Sequence, residues 1–290
     1  MNNYIILTDS SADLPLSIYN ELDIQVLPLS FLLDGEVYHN TPDESSIAFK
    51  EVYAQLRSGK NVTTSAVNVE TFKEAFLPYV QDGKDILYLG FSSGLSGTFS
   101  AGTIAAQELL EEYPERKIVC VDTLCASLGQ GMLVYMTAKK RAEGFSLSEA
   151  AEYAEKIKLN VCHWFTVDDL FFLKRGGRIS ATTALVGSAL GIKPILHVDN
   201  EGHLISVSKT RGRKKAITSL LEQMKASAID PSTQIPMISH GDCVEDANVL
   251  ADALRKEFGV KDVIINYVGP VIGAHSGPGT LALFFIGKER

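Results

Sequence analysis

Between Gly90 and Thr98 the chain reads GFSSGLSGT, three glycines and four hydroxyl side chains in one turn that follows the apolar run Ile86–Leu89. Two chemistries fit. Gly90-Phe91-Ser92-Ser93-Gly94 matches the G-x-S-x-G of a nucleophile elbow, in which a sharp strand-to-helix turn exposes a serine. Asp122 at the end of the next apolar run and His275 near the C-terminus complete a Ser–Asp–His order typical of α/β-hydrolases. The same residues also suit an anion cradle. The N–H groups opening a helix over Thr98–Glu112, and its dipole, favour negative charge. Ser93, Ser96 and Thr98 add hydroxyl donors.

Three features weigh against the elbow. Glycines and hydroxyls continue through Gly94, Ser96, Gly97 and Thr98, where a hydrolase helix is already running, and no His-Gly-Gly oxyanion segment is present. His275 lies in 274-AHSGPGT-280, read as a second glycine-rich loop full of donors, whereas a triad histidine needs one orienting carboxylate. A binding cradle is the leading reading, and a serine esterase using Ser92, Asp122 and His275 is the alternative. With no G-x-G-x-x-G after the first strand and no G-K-[ST], the anion is smaller than a nucleotide, such as a carboxylate or one phosphate. A further hydroxyl cluster, 63-TTSAVN-68, reads by itself as the N-cap of a helix. Beside the other two segments it reads as part of the cradle.

The positioning elements alternate. Tyr4–Thr8 is strand-like and ends in 9-DSSAD-13, Pro15 opens a short helix, and Ile24–Leu29 is a second strand, with Asp34-Gly35 turning a hairpin into Glu36–His39. Helical periodicity covers Ser45–Arg57, Val69–Val80, Thr98–Glu112, Ser127–Glu143 and Ser146–Leu159, and strands are expected at Ile86–Gly90, Lys117–Asp122 and Val161–Val167. Beyond a polar segment, 174-KRGGRIS-180, come a small-residue helix over Thr182–Leu190 and a hairpin over 195–210 turned at Asn200-Glu201-Gly202. The C-terminal part adds helix Arg213–Lys225, strand Gln234–Ser239, helix Val244–Phe258, strand Asp262–Tyr267 and buried strand Leu281–Ile286. The expected fold is two α/β domains, 1–160 and 161–290, with mostly parallel or mixed sheets and a ligand enclosed between them.

Composition sets limits. With 290 residues, 46% hydrophobic, a well-buried core is easily reached. A net charge of −8 removes any global basic footprint for nucleic acid. Cys120, Cys125, Cys162 and Cys243 show no C-x-x-C and no zinc-like spacing, so reduced thiols in a cytoplasmic protein and no metal site are expected. Met1-Asn2-Asn3 leads straight into the first strand without a signal-peptide pattern, and no apolar run approaches the ~20 residues of a membrane span.

Five segments, in order, carry a resemblance: 9-DSSADL-14, Thr64-Ser65, 92-SSGLSGT-98, 173-LKRGGRI-179 and 273-GAHSGPG-279. Together they resemble the DegV family of bacterial fatty-acid-binding proteins, which includes the FakB subunits of fatty acid kinase. The resemblance implies a long-chain fatty acid such as palmitate held between two α/β domains, with no cofactor and no catalysis by the chain itself. It also implies that Thr64 and Ser96 hold the carboxylate, that Ser93 can add to them, and that His275 lies at the same head group. Many members carry T-S-Q-P where this chain has 64-TSAV-67, so the hydroxyl is kept and a proline is lost. In some members the acid is presented to a separate fatty acid kinase subunit.

A lipid suits the physics. A buried carboxylate must be hydrogen-bonded, and acyl burial contributes about 0.8 kcal/mol per CH₂. Phe171, Phe172, Leu185, Val186, Leu190 and Ile192 are candidate tunnel lining, with Ala181, Ala184, Gly187, Ser188 and Ala189 leaving room. The cationic runs 209-KTRGRKK-215 and 174-KRGGR-178 read either as solvated helix ends or as docking charges, with Arg211, Arg213, Lys174 and Arg178 as contacts for an acidic partner or a transient anionic membrane contact. Without interleaved aromatics they do not read as a nucleic-acid site.

Overall fold

The computed structural model describes residues 4–180 and 191–290. Tyr4–Asp9 (β1) is buried along its whole length, as a strand covered on both faces must be. It lies inside a parallel sheet of order β2-β1-β6-β7, with Ile24–Leu27 (β2), Asp85–Gly90 (β6) and Ile118–Asp122 (β7). The strand expected over Ile24–Leu29 divides at Pro28, which has no N–H to give a ladder. The chain there leaves the parallel sheet and enters a small antiparallel one, β4-β3-β5, made of Ser30–Leu33 (β3), Glu36–His39 (β4) and Val62–Ser65 (β5). Asp34 and Gly35 both take positive φ, 55° and 86°, which gives the β3–β4 hairpin its tight turn.

Leu16–Glu21 (α1), Phe49–Arg57 (α2), Val69–Gln81 (α3) and Thr98–Glu112 (α4) connect these strands. Asn68 caps α3 by accepting the Thr71 N–H at 2.9 Å. The cap expected within 63-TTSAVN-68 is thus its last residue, while Thr63–Ser65 are strand residues. Leu128–Ala142 (α5) and Leu147–Ile157 (α6) follow, the latter opened by a Ser146–Glu149 capping box.

The third sheet is mixed, in the order β10-β9-β8-β13-β11-β12. Its strands are Val161–Thr166 (β8), Ile192–Val198 (β9), Leu204–Arg211 (β10), Met237–His240 (β11), Ile264–Tyr267 (β12) and Leu281–Ile286 (β13), and of its pairs only β11–β12 is parallel. Leu170–Arg175 (α7), Arg213–Ser227 (α8), Val244–Phe258 (α9) and Pro270–Ser276 (α10) complete the described helices. Thr182–Leu190 lies outside the described residues. The chain is thus mixed α/β with parallel and mixed sheets.

Helix α5 joins the parts. It touches β6 of the parallel sheet and β8, β11 and β13 of the mixed sheet, and one apolar cluster runs from Leu87 and Leu89 through Leu128, Met132 and Leu133 to Phe165, Met237 and Phe284. Two of its glycines make this approach possible. Gly129 faces the His163 imidazole, and a Cβ on Gly131 would lie 2.5 Å from the Ala12 carbonyl oxygen. Backbone cannot step aside as a flexible side chain can. Gly131→Ala gains about 1 kcal/mol in helix propensity, yet overpacking of this kind costs about 1–3 kcal/mol. Net destabilisation in urea melts is expected, and a stabilised variant would show that the helix can back away.

Candidate functional site

The cradle turn is fastened from below. The buried Asp9 carboxylate accepts N–H bonds from Ser11 at 3.1 Å and Phe91 at 2.9 Å, and the Tyr88 hydroxyl donates to it at 3.0 Å. Burial raises its pKa above the usual carboxylate range. Phe91 is thereby tied to the end of β1, and Leu95 and Ser96 fold back to donate to the Ser92 carbonyl at 3.0 and 3.2 Å. Ser96 Oγ accepts the Thr98 N–H at 3.2 Å and lies 2.9 Å from Thr98 Oγ1, at the start of α4.

Thr64 arrives from β5 and His275 from α10. Thr64 Oγ1 and His275 Nε2 are 2.7 Å apart. Gly176, at the end of α7, has no side chain where the other edge of the imidazole packs. Burial, then the Arg178 and Arg175 guanidiniums, push the His275 pKa down to about 4, so the ring is neutral at pH 7. His275 was expected in a loop. It stands in the last turn of a short helix whose start Pro270 favours.

These groups open on one cavity of about 170 Å³, where one water needs on the order of 10–15 Å³ by the same measure. Thr64, Ser96, His275 and Arg178 line it, and so do Leu29, Phe91, Leu95, Phe165, Leu173, Val271 and Phe284. Elsewhere its wall carries Ser127 and His163. Ser127 Oγ donates to the buried Asp13 carboxyl at 2.5 Å, and burial pushes that carboxyl up to about 8. His163 lies 3.3 Å from the Ala126 N–H and 2.9 Å from the Val161 carbonyl, and burial holds its pKa well below the usual imidazole value.

Thr64, Ser96 and His275 therefore meet at one cavity, and Ser93 does not join them: it is exposed, with its N–H on Asp122 Oδ1 at 3.2 Å. The hydrolase triad is not assembled. Ser92 Oγ donates to the Gly202 carbonyl at 2.9 Å, Asp122 accepts the N–H groups of Ser93 and Leu124, and His275 pairs with Thr64. Ser92 is a latch to the β9–β10 turn.

The expected lining needs correction. Phe171 is 47% exposed, Phe172 packs on Gly277, and neither they nor Ile192 line the cavity. Leu185, Val186, Leu190, Ala181, Ala184, Gly187, Ser188 and Ala189 lie outside the described residues. The wall is built instead from alternate residues of strands, His163 and Phe165 on β8 and Ala282 and Phe284 on β13. Period-two alternation is the signal that marks them.

The docking set also changes. Arg178 lines the cavity and donates to the Leu95 carbonyl at 3.2 and 3.0 Å. Arg213 pairs with Asp246 at 2.8 Å and with Asp168 at 3.6 Å, its side chain 21% exposed. Lys174 sits over the Phe171 ring at 5.5 Å. Arg211 is exposed, as are Lys209, Lys214 and Lys215. All four cysteines are free, and burial pushes the Cys125 thiol up to about 11. Among the described residues no helix is long and apolar enough to cross a membrane, and no cluster of His, Cys, Asp or Glu is placed to hold a metal.

Comparison with known proteins agrees over the whole length. A family model described as an uncharacterised protein of the DegV family matches residues 3–288. A DegV domain-containing protein of Clostridium perfringens is 47% identical over 290 residues, covering 100% of this chain and 99% of its own. A solved DegV lipid-binding protein of Thermotoga maritima superposes with a TM-score of 0.86 at 31% identity, covering 100% of both chains. A DegV family protein of Thermus thermophilus, solved for its fatty acid binding, gives 0.86 at 31% identity over 98% of this chain and 99% of its own.

The arginines of the basic run are expected to separate by stability. Arg213→Ala leaves Asp246 without its half-buried cation, while Asp168 keeps Lys193 at 2.5 Å, and costs about 1–2 kcal/mol, whereas Arg211→Ala stays within about 0.5 kcal/mol. Equal melting temperatures for both variants would show that the Arg213 pairs carry no net stability.

Proposed function

This chain belongs to the DegV family, and from that footing we propose that its cavity holds one long-chain fatty acid, such as palmitate, with the carboxylate at Thr64 and Ser96. The observation that carries the reading is the convergence of Thr64, Ser96 and His275, from three separate elements, on a cavity whose wall is largely apolar. A neutral His275 matters to the chemistry. With its proton on Nε2 it donates to Thr64 Oγ1, which frees the threonine proton for a ligand oxygen. On the other side Thr98 can donate to Ser96 in the same sense, so each pair offers one proton to the carboxylate. Arg178 adds positive potential from the cavity wall. The acyl chain supplies most of the affinity, at about 0.8 kcal/mol per CH₂ buried, while the hydroxyls set which end points where.

Among the described residues the site has no assembled nucleophile, so the role that fits is carriage of the acid in the cytoplasm, and presentation to a separate fatty acid kinase that makes the acyl phosphate. The exposed Lys209, Arg211, Lys214 and Lys215 support contact with an acidic partner or, transiently, an anionic membrane. Division into domains 1–160 and 161–290 accords with the sheets, since the parallel and small antiparallel sheets use strands up to Asp122 and the mixed sheet those from Val161. Native mass spectrometry of protein purified from cells tests the ligand class: a retained mass in the fatty-acid range is expected, and its absence after reloading with palmitate would sink the proposal.

Thr64→Ala and Ser96→Ala each remove one donor to a charged group, about 1.5–3 kcal/mol. Palmitate affinity is expected to fall by about ten- to a hundred-fold with folding kept.

Binding should also take up protons. The folded pKa of His275 is depressed to about 4, and a carboxylate beside it favours the imidazolium, so its pKa rises on binding. Calorimetry below pH 6 in buffers of different ionisation enthalpy should report this uptake in the wild type and lose it in His275→Gln. Uptake that persists unchanged in the variant would assign the proton to another group.

A further inference from the structure

Ser276 closes α10 one residue after His275. It is 4% exposed, lines the same cavity, and its Oγ has no hydrogen-bond partner among the described residues. The other unexposed hydroxyls of the wall are all engaged: Thr64 with His275, Ser96 with Thr98, Ser127 with Asp13 and Ser239, and Thr280 with the Gly277 carbonyl at 2.7 Å. A buried hydroxyl left unmade is unfavourable, and such groups call for a partner.

Helix geometry sets where Ser276 acts. Consecutive helical residues point about 100° apart, so Ser276 cannot repeat the direction in which His275 reaches Thr64. It follows directly on His275, whose ring pairs with Thr64 at the polar part of the cavity wall. Proton supply adds to this. Thr64 and Ser96 can each offer a ligand one proton only when His275 and Thr98 donate to them, whereas Ser276 gives up no internal bond. A carboxylate has two oxygens and about four lone-pair sites. Two donors leave it half served, and an alcohol, with one oxygen, would not engage a third.

We propose that Ser276 donates to the second oxygen of the bound carboxylate, so that the site selects a two-oxygen head group over a one-oxygen one. This deepens the fatty-acid reading and rests on it.

The test compares palmitate with hexadecanol on wild type, Ser276→Ala, Ser276→Thr and, as reference, Thr64→Ala. Ser276→Ala should weaken palmitate by about 5- to 30-fold, the loss of one hydrogen bond to a charged acceptor, and change hexadecanol by less than about threefold. Ser276→Thr keeps the hydroxyl and should bind palmitate within about threefold of wild type. The ligand-free alanine variant should melt no lower than wild type, because it loses only an unpaired buried hydroxyl. Palmitate and hexadecanol weakened alike, or a lower melting point, would make Ser276 a structural residue. An unchanged palmitate affinity in Ser276→Ala, with Thr64→Ala still weakened, would remove Ser276 from the site and leave the fatty-acid reading standing. Wild type that binds no palmitate would bring down both.

Discussion

The cavity exists because one helix has no side chain at two of its positions. At Gly129 and Gly131, α5 meets His163 of the mixed sheet and the Ala12 carbonyl beneath the parallel sheet, and so lies against both. Ala126 and Ser127, at the start of this helix, form part of the cavity wall. A bulkier α5 would hold the two sheets apart and leave Phe165 and Phe284 facing a gap too wide to close. The cavity is the space that remains when the sheets approach as closely as α5 permits, walled by residues of β8 and β13 and by the loops after β5 and β6.

Polar groups then decide how that space is used. Asp9 fixes the loop after β6, Asn68 fixes the start of α3 next to β5, and Tyr53 donates to the Val268 carbonyl at 2.7 Å just before α10. Each of these anchors lies outside the cavity. Each sets one of the three elements that bring Thr64, Ser96 and His275 together. Ser92, the residue whose motif most invites a catalytic reading, fastens the β9–β10 turn onto the Ser96 loop instead.

The parts legible in the sequence are those with strong local signals. The apolar run of β1 and the bounds of α4 and α9 follow from periodicity and from Gly259 after the latter. β5 is harder to see because Thr63, Thr64 and Ser65 carry no apolar alternation, and only its pairing with β3 makes it a strand. α10 is seven residues long and ends in a glycine-rich turn, so its composition looks like loop. The roles of the arginines depend on partners remote in sequence. Asp246 for Arg213 and the Leu95 carbonyl for Arg178 lie far along the chain, and nothing local says whether a cation turns inward. The hydroxyls of the site were visible as residue types. The apolar wall was not, because Phe165 and Phe284 are core-like in composition and become lining only where two strands face the same void.

The pair of buried carboxyls in the turn after β1 bears on where the chain is happiest in pH. Asp9 and Asp13 both have raised pKa values, Asp13 at about 8. The folded state therefore holds protons there that the unfolded chain releases above about pH 4, and stability contributed by them declines as pH rises toward 8. His163, His197, His240 and His275 have the opposite tendency, since all four are lowered by burial and the unfolded chain gains protons on them below about pH 6.5. The two families of buried groups thus pull stability in opposite directions as pH changes, the carboxyls favouring the acid side and the imidazoles the basic side.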